Sequence, residues 1–353
     1  MDLRSPISIF VLFVCLANQA FGQSGRVKPG ETPIPSPTPK RSIYVPTNTF
    51  PSPSPSATPK TNDDDVIKVD SALVPIPVSV LDANGRAITT LKLPDFELRI
   101  DGNPAEIGDL ARSETPIRLA MLFDNSSSVR VARDFEKDAA VRFFRQVVRP
   151  DKDLAALFSV STNARMEQGL TRDVSSLVHA IEMFPPPEGA TALFDGIVDA
   201  ANYLAGVEGR RVIVIVSDGD DTVSDIENSL EKVLRTLQIA NCQVYVVKTT
   251  DFENYKRTGV RGGSANLRQL AAERRMIELT RQTGGNVYSP IDEDELDRAF
   301  KQISAELAQQ YILSYYPEDP TEKRGEFREI SIAVKTKPAA AVRTRKGYYV
   351  PKK

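Results

Sequence analysis

Two apolar runs in the sequence are each followed at once by oxygen-bearing side chains. The first run leads into the segment Asp124 to Ser128, which reads Asp-Asn-Ser-Ser-Ser. The second leads into Ser217-Asp218-Gly219, and between the two runs Thr191 stands just ahead of a helical pattern. The candidate ligands that these segments supply are all hard oxygen donors: Asp124, Ser126, Ser128, Thr191 and Asp218.

This donor set predicts a site for a divalent cation. Mg²⁺ prefers octahedral oxygen ligands and keeps several waters. The alternate spacing of Asp124, Ser126 and Ser128 lets one tight loop aim every second side chain at one ion. Because hydroxyls are neutral, the charge of the ion is only partly cancelled, and one position can stay open for an acidic group of another molecule. We therefore expect Mg²⁺, with Mn²⁺ or Ca²⁺ as alternatives.

Structural roles are the alternative for the same residues. Ser126 to Ser128 could cap the following helix, and Asp218-Gly219 could form a turn. Asp195 is expected to be a hydrogen-bonding residue of its own helix rather than a ligand. Three further aspartates are expected to form a solvated acidic loop: Asp220, Asp221 and Asp225.

The sequence gives little support for catalysis. The only histidine, His179, lies within a helical pattern, and neither a Gly-x-Ser-x-Gly nor a Gly-x-x-x-x-Gly-Lys-Ser/Thr motif is present. A phosphatase that forms an aspartyl-phosphate typically needs a second carboxylate two residues after Asp124, where Ser126 stands. We expect a protein that is not an enzyme. Metal-assisted hydrolysis is the least favoured alternative, because the sequence offers no clear general base.

The elements that would position these residues alternate between strands and helices over about 116–300. Val212 to Val216 is a pure Val/Ile run, typical of a strand that is buried on both faces of a parallel sheet. The alternation predicts a doubly wound, mostly parallel α/β sheet with helices on both faces. In such a sheet, ligands bind beyond the carboxyl ends of the strands, where the strand order reverses. Within this region we expect a helix over Ile226 to Ile239 and a surface loop over Asp251 to Ser264.

Strand-like segments flank this region on both sides. Two precede it and three follow it: Leu73 to Leu81, Phe96 to Ile100, Tyr311 to Tyr316, Phe327 to Val334 and Val342 to Val350. We expect them to pair into one small β domain that is closed from both chain ends. The predicted boundaries are 64–115 for the N-terminal strands, 116–301 for the α/β domain and 302–353 for the C-terminal strands.

The first residues have the pattern of an export signal. Arg4 precedes the short apolar stretch Ile7 to Leu16, and Ala20-Phe21-Gly22 offers small residues at a cleavage site. The stretch is shorter than the ~20 residues of a membrane-spanning helix. We therefore expect a signal peptide over 1–22, with an uncleaved anchor as the alternative, and a Pro/Ser/Thr-rich disordered linker over 23–63. The protein would be periplasmic, envelope-bound or extracellular, without a stable transmembrane segment after cleavage.

Composition adds two constraints. The 45 basic and 47 acidic residues give a net charge of −2 and are well mixed, which argues against a nucleic-acid partner. After signal removal Cys242 would be the only cysteine, so no internal disulfide could form. The stability of the exported protein would then come from its apolar core.

In these features the sequence resembles the von Willebrand factor type A family, whose metal ion-dependent adhesion site has a three-part motif. Asp124-x-Ser126-x-Ser128 matches the first part, Thr191 the second and Asp218 the third. The resemblance implies direct ligation of the metal by Ser126 and Ser128, with the other three residues ligating directly or through water. It also implies a Rossmann-like doubly wound fold, and a partner protein or peptide that presents an exposed carboxylate.

The resemblance extends to a secreted bacterial branch of the family, described from acidobacterial proteins, and covers roughly Val66 to Val350. Ser127 and Val129 depart from the Gly and Met of many relatives, but neither position supplies a ligand. Four flanking segments are similar to the signatures of this branch: Leu73 to Val78, Asp95 to Gly102, Gln310 to Pro317 and Arg345 to Tyr349.

The expected function is a metal-dependent binding or adhesion module of an exported bacterial protein. The main alternative is an envelope assembly or scaffold protein with little metal dependence.

Overall fold

A computed structural model describes residues 73–112, 115–261, 266–317 and 324–350. The expected signal peptide (1–22), the expected linker (23–63) and the start of the N-terminal strand region lie outside the described residues. Within the described ranges, no helix is long and apolar enough to cross a membrane.

Strands and helices alternate through the middle of the chain, with further strands on either side. The strands are β1 (Val74–Leu81), β2 (Phe96–Ile100), β3 (Asn103–Ala105), β4 (Asp109–Arg112), β5 (Ile117–Asp124), β6 (Leu154–Val160), β7 (Ala164–Thr171), β8 (Arg210–Ser217), β9 (Cys242–Lys248), β10 (Val287–Tyr288), β11 (Tyr311–Tyr315), β12 (Phe327–Val334), β13 (Ala341–Thr344) and β14 (Gly347–Tyr349). The helices are α1 (Arg133–Val147), α2 (Val174–Glu182), α3 (Leu193–Ala205), α4 (Leu230–Ile239), α5 (Thr250–Thr258), α6 (Leu267–Thr283) and α7 (Glu293–Gln309).

The central sheet has six strands in the order β10-β9-β8-β5-β6-β7. All neighbouring strands are parallel except β7, which pairs antiparallel with β6 at one edge. The residues Val212 to Val216 of β8 are all buried, as expected for a strand covered on both faces. Strand order reverses at β5, because β6 lies on one side of it and β8 on the other. The carboxyl ends of β5 and β8 are therefore neighbours at the switch point.

Helices cover both faces of this sheet. On one face α1, α2 and α7 pack around a core that includes Phe143, Leu177 and Phe300. On the other face α3, α4 and α6 pack around a core that includes Ile197 and Leu237. The prediction of a doubly wound, mostly parallel α/β sheet is confirmed.

Strands from before and after the central sheet pair with one another in two four-stranded sheets. One has the order β13-β1-β11-β4 and the other the order β14-β12-β2-β3. Ile76 of β1 lies opposite Leu313 of β11, and Leu98 of β2 lies opposite Ile332 of β12. Ile76, Leu98 and Leu313 are buried in a shared core. We call these eight strands the flanking β region.

The segment Asp251 to Ser264, which favours a loop by its composition, instead forms helix α5 up to Thr258. The loop prediction is wrong because Phe252 is the single buried apolar residue of the helix, so no helical periodicity shows in the sequence. Helix signals are nevertheless present. Acidic residues occupy the first turn and basic residues the last, and Gly259 ends the helix with a φ of 72°.

Two other predicted elements differ from the structure in extent. The helix predicted from Ile226 begins only at Leu230, where the Ser229 side chain accepts a hydrogen bond from a backbone N–H of the first turn. The predicted strand Val342 to Val350 divides into β13 and β14, which belong to different sheets. The second of these strands begins at Gly347. Only glycine fits at this position, because a β-carbon there would lie 2.1 Å from the Phe327 ring.

We predict that Gly285→Ala destabilises the protein by about 2–3 kcal/mol through overpacking. An added β-carbon at Gly285 would lie 1.8 Å from the carbonyl oxygen of Val244 in β9, and the backbone of a central strand cannot yield. The matched control is Gly206→Ala, where no atom lies within 4 Å and the φ of −82° suits alanine. The control should change stability by less than about 1 kcal/mol. Urea unfolding followed by circular dichroism measures both variants, and equal tolerance of both would contradict this packing.

Candidate metal centre

The switch point of the central sheet positions the two aspartates of the predicted site. Asp124 is the last residue of β5, and Asp218 directly follows Ser217, the last residue of β8. The two strands run side by side in parallel, with Phe123 opposite Val216. Both carboxylates therefore lie at the same edge of the sheet.

Asp124 is buried and firmly held. Its Oδ1 accepts a hydrogen bond from the backbone N–H of Ser126 at 2.9 Å, and its Oδ2 accepts one from the Ser217 hydroxyl at 2.6 Å. The Ser217 oxygen in turn accepts a hydrogen bond from the backbone N–H of Gly219 at 3.0 Å. Ser217 thus ties the loop after β5 to the loop after β8, a role that we did not predict from the sequence.

The two serines of the first loop face one another. Their Oγ atoms lie 2.9 Å apart, with Ser126 buried and Ser128 exposed. A short 3₁₀ turn over Ser127–Val129 follows Ser126, but the Ser126 side chain makes no capping hydrogen bond to it. Helix α1 begins only at Arg133. The capping alternative therefore does not account for these hydroxyls.

Backbone hydrogen bonds join the Thr191 loop to both strand-end loops. The carbonyl of Thr191 accepts a hydrogen bond from the N–H of Thr222 at 2.8 Å, and the Thr191 N–H donates to the Thr222 hydroxyl at 2.8 Å. On the other side, the N–H of Ser127 donates to the carbonyl of Gly189 at 3.2 Å. The three predicted segments therefore form one connected loop cluster.

These loops surround a cleft of about 420 Å³. Asp124 lies behind the cleft and contacts Ser126. The side chains lining it include four of the five predicted ligands and three further polar residues: Ser126, Ser128, Thr191, Asp218, Asp220, Thr222 and Arg268. The structure thus brings all five predicted ligands to one place.

Three buried carboxyl groups at or near the site have raised pKa values. Burial, and secondly the nearby Asp218 carboxylate, raise the pKa of Asp124 to about 6, although hydrogen bonds from Ser217 and Ser126 oppose the shift. Burial likewise raises the pKa of Glu253 to about 7 and the pKa of Glu136 well above its ordinary value. Among the described residues, neither Asp124 nor Asp218 forms an ion pair with a basic side chain. A buried carboxylate beside a second one is stabilised by a bound cation.

The donor set also fits Mg²⁺ chemically. It comprises the two carboxylates of Asp124 and Asp218 and three hydroxyls, all of them oxygen ligands. No group of three or more His, Cys, Asp or Glu side chains in the described part of the chain has an arrangement suited to a metal. The candidate site therefore depends on its serine and threonine oxygens.

The acidic loop after β8 is more engaged than the prediction of a solvated loop implies. Asp220 forms ion pairs with Arg268 and with Arg275, and Asp221 accepts a hydrogen bond from the N–H of Phe194 at 3.0 Å. Of the three aspartates, only Asp225 is fully exposed.

Asp195 is a structural residue, but it acts beyond its own helix. Its carboxylate accepts hydrogen bonds from the N–H of Asp225 at 3.0 Å and from the Asn228 amide at 2.6 Å. It thereby secures the loop after β8 to α3.

His179 is exposed on α2, and Cys242 is buried at the start of β9.

Residues 119–220 match the family model of the von Willebrand factor type A domain. The chain contains a von Willebrand factor type A domain. The matched range includes all five predicted ligands of the candidate metal centre. A von Willebrand factor type A domain indicates a protein-interaction or adhesion module. No curated protein matches the sequence significantly.

Solved structures with a similar fold are distant in sequence. The von Willebrand factor type A domain of SpRpn10 is 20% identical, with a TM-score of 0.40, over 52% of this chain and 94% of that one. An aerotolerance-related membrane protein from Bacteroides fragilis is 19% identical, with a TM-score of 0.40, over 54% and 98%. The PilB minor pilin from Streptococcus sanguinis is 15% identical, with a TM-score of 0.41; the match covers 55% of this chain but only 62% of the pilin.

We predict that Ser217→Ala weakens Mg²⁺ binding by the von Willebrand factor type A domain about 10- to 100-fold, because it removes the hydroxyl that orients the Asp124 carboxylate. The matched control is Ser176→Ala, which removes a similar hydroxyl–carboxylate hydrogen bond, to Asp173, the exposed residue that precedes α2. Calorimetric titration with Mg²⁺ measures both affinities. Equal affinity in the Ser217 variant and the control would contradict the role of Ser217.

The raised pKa of Asp124 also predicts a pH dependence. Because its pKa in the folded protein lies above the ordinary value of 3.8, the protonated form contributes stability below about pH 4 that is lost as the pH rises through about 6. Mg²⁺ binds only the deprotonated form. In titrations, we therefore expect Mg²⁺ affinity to be about tenfold lower at pH 5 than at pH 7.5. A constant affinity between these pH values would show that Asp124 is not a ligand.

Proposed function

We propose that this protein is a non-enzymatic binding or adhesion module that holds its partner through a divalent metal. The observation that carries the proposal is that Ser126, Ser128, Thr191 and Asp218 line one open cleft, with Asp124 hydrogen-bonded to Ser126 behind it. Mg²⁺ is the proposed metal, with Mn²⁺ or Ca²⁺ as alternatives.

The partner is proposed to be a protein or peptide with an exposed carboxylate. Mg²⁺ prefers octahedral oxygen coordination, and the five proposed ligands leave one position that a carboxylate of the partner can fill. Ser128 is exposed and Asp218 is partly exposed at the mouth of the cleft, while Asp124 is buried beneath them. An acidic side chain can therefore approach from the open side.

Binding is favoured over catalysis by the side chains that line the cleft. Besides the proposed ligands, its described lining offers Asp220, Thr222 and Arg268 as side chains with functional groups. Asp220 is the one further carboxylate in that lining, and both of its oxygens are engaged in ion pairs, with Arg268 and with Arg275. We therefore propose that the metal positions a partner rather than a hydrolytic water.

The protein is proposed to act outside the cytoplasm, in the periplasm, in the cell envelope or extracellularly. The export-signal pattern over 1–22 and the Pro/Ser/Thr-rich segment over 23–63 support this location. In this arrangement the linker holds the folded region away from its point of attachment or release.

The decisive variant is Asp124→Ala, examined by thermal unfolding with Mg²⁺ and with chelator. Mg²⁺ at about 100 times its dissociation constant should stabilise the parent by about 2.7 kcal/mol and the variant not at all. Asp138→Ala, which removes an exposed carboxylate on α1, is the control and should respond as the parent does.

Partner chemistry is tested with immobilised peptides that contain a single Asp or Glu. Retention should require Mg²⁺ and should be lost when the acid is replaced by Asn or Gln. If the parent is not stabilised by millimolar Mg²⁺, Mn²⁺ or Ca²⁺, the metal-dependent proposal fails. An assembly role with little metal dependence then becomes the better account.

A further inference from the structure

A second cavity lies at the amino ends of the central-sheet strands, opposite the carboxyl ends that hold the candidate metal centre. It has a volume of about 360 Å³ and is lined by the amino ends of β8 and β9 and by Pro75 and Pro77 of β1. The metal centre lies at the carboxyl end of β8, on the order of 25 Å away along the strand. The cavity is thus formed jointly by the von Willebrand factor type A domain and the flanking β region.

The most unusual side chain at this cavity is Arg345, which connects β13 to β14. Only 7% of its surface is exposed, yet no carboxylate forms an ion pair with it among the described residues. One guanidinium nitrogen donates to the Asn241 side chain and another to the carbonyl of Pro75 at 2.9 Å. Its Nε has no hydrogen-bond partner in the described structure.

Arg345 is charged at neutral pH. Burial lowers its pKa to about 10, which still leaves the guanidinium protonated at pH 7. A buried cation whose partners are only carbonyl and amide dipoles carries a large desolvation cost. The aromatic ring of Tyr348, 5.8 Å away, offsets a small part of that cost. A bound anion would offset the rest of the desolvation cost of Arg345.

Neighbouring side chains add further positive charge beside Arg345. Arg210 and Arg211 line the same cavity, and the described lining contains no Asp or Glu. The guanidinium of Arg211 donates to two carbonyls, those of Val207 at 2.9 Å and Ala240 at 2.8 Å. Arg345 and Arg211 therefore bring positive charge to a cavity whose described lining contains no carboxylate.

We infer that this cavity is a binding site for a small oxyanion, with Arg345 and Arg211 as its principal ligands. Guanidinium groups present parallel N–H donors that match the oxygens of phosphate and carboxylate groups. The cavity is large enough for an ion of this size, and Pro75 and Pro77 form part of its wall. Because Arg345 also contacts Pro75 and Asn241, the bound anion would strengthen the junction between the two parts of the molecule.

The test is thermal unfolding of the protein, dialysed free of anions other than chloride, with added inorganic phosphate. Sodium chloride at matched ionic strength is the reference, and chelator is present throughout. At about ten times its dissociation constant, phosphate should raise the unfolding midpoint by about 4 °C. Arg345→Met should abolish this rise, and Arg211→Met should reduce it. Arg165→Met, which removes an exposed arginine at the edge of the central sheet, should leave it unchanged.

Two further measurements make the result specific. Phosphate should shift the Nε–H resonance of Arg345 in the nitrogen–proton spectrum with the same saturation curve, even if the methionine variant folds poorly. Asp124→Ala should keep the full response, so that failure of the metal centre and failure of this site are distinguishable. Absence of a response in the parent overturns the inference. An equal response in parent and Arg345→Met overturns it as well, because the anion would then bind elsewhere.

Discussion

The candidate site depends on the burial of one carboxylate, which the fold places beside a second one at the carboxyl ends of two neighbouring strands. Asp124 is buried at the end of β5, and Asp218 follows the neighbouring strand β8. Burial, and secondly the charge of Asp218, disfavours ionisation of Asp124 and raises its pKa to about 6. A bound cation would favour the ionised form instead. Hydrogen bonds hold the Asp124 carboxylate and the strand-end loops in place, and Ser126 and Thr191 line the cleft beside them.

Parallel strand pairing makes this arrangement possible. Because β5 and β8 share register over seven residue pairs, their carboxyl ends cannot separate without breaking the most buried part of the sheet. The amino ends of β8 and β9 face the flanking β region instead, and there Arg211 and Arg345 create an excess of positive charge. The two ends of the sheet strands therefore carry charges of opposite sign. In our proposals, a divalent metal balances the negative charge at one end, and an oxyanion balances the positive charge at the other.

The sequence predicts the parts of the molecule that rest on local patterns. Apolar runs such as Val212 to Val216 identify the buried parallel strands, and the change from apolar to polar residues at Asp124 and Asp218 identifies where those strands end. The role of Ser217 could not be predicted from local patterns, because its hydrogen bond to Asp124 spans 93 residues. Edge strand β7 was not predicted because its residues are mostly part-exposed and do not form an apolar run. Helix α5 was not predicted because it is stabilised by the tertiary packing of Phe252 and lacks an apolar periodicity. Arg345 shows in the sequence only as one more charged residue, since its burial arises from contacts with β1, 270 residues away.

In the proposed function, the oxygen donors around Asp124 bind one divalent metal. Crystals grown with Mn²⁺ and measured at the manganese absorption edge would reveal this ion, because an anomalous difference map locates manganese independently of the protein coordinates. We expect one strong peak in the cleft, within about 2.2 Å of the Ser126 and Ser128 hydroxyl oxygens. The peak should be absent from crystals of Asp124→Ala. Ordered loops with no peak in the cleft, or a peak held by other residues, would contradict it.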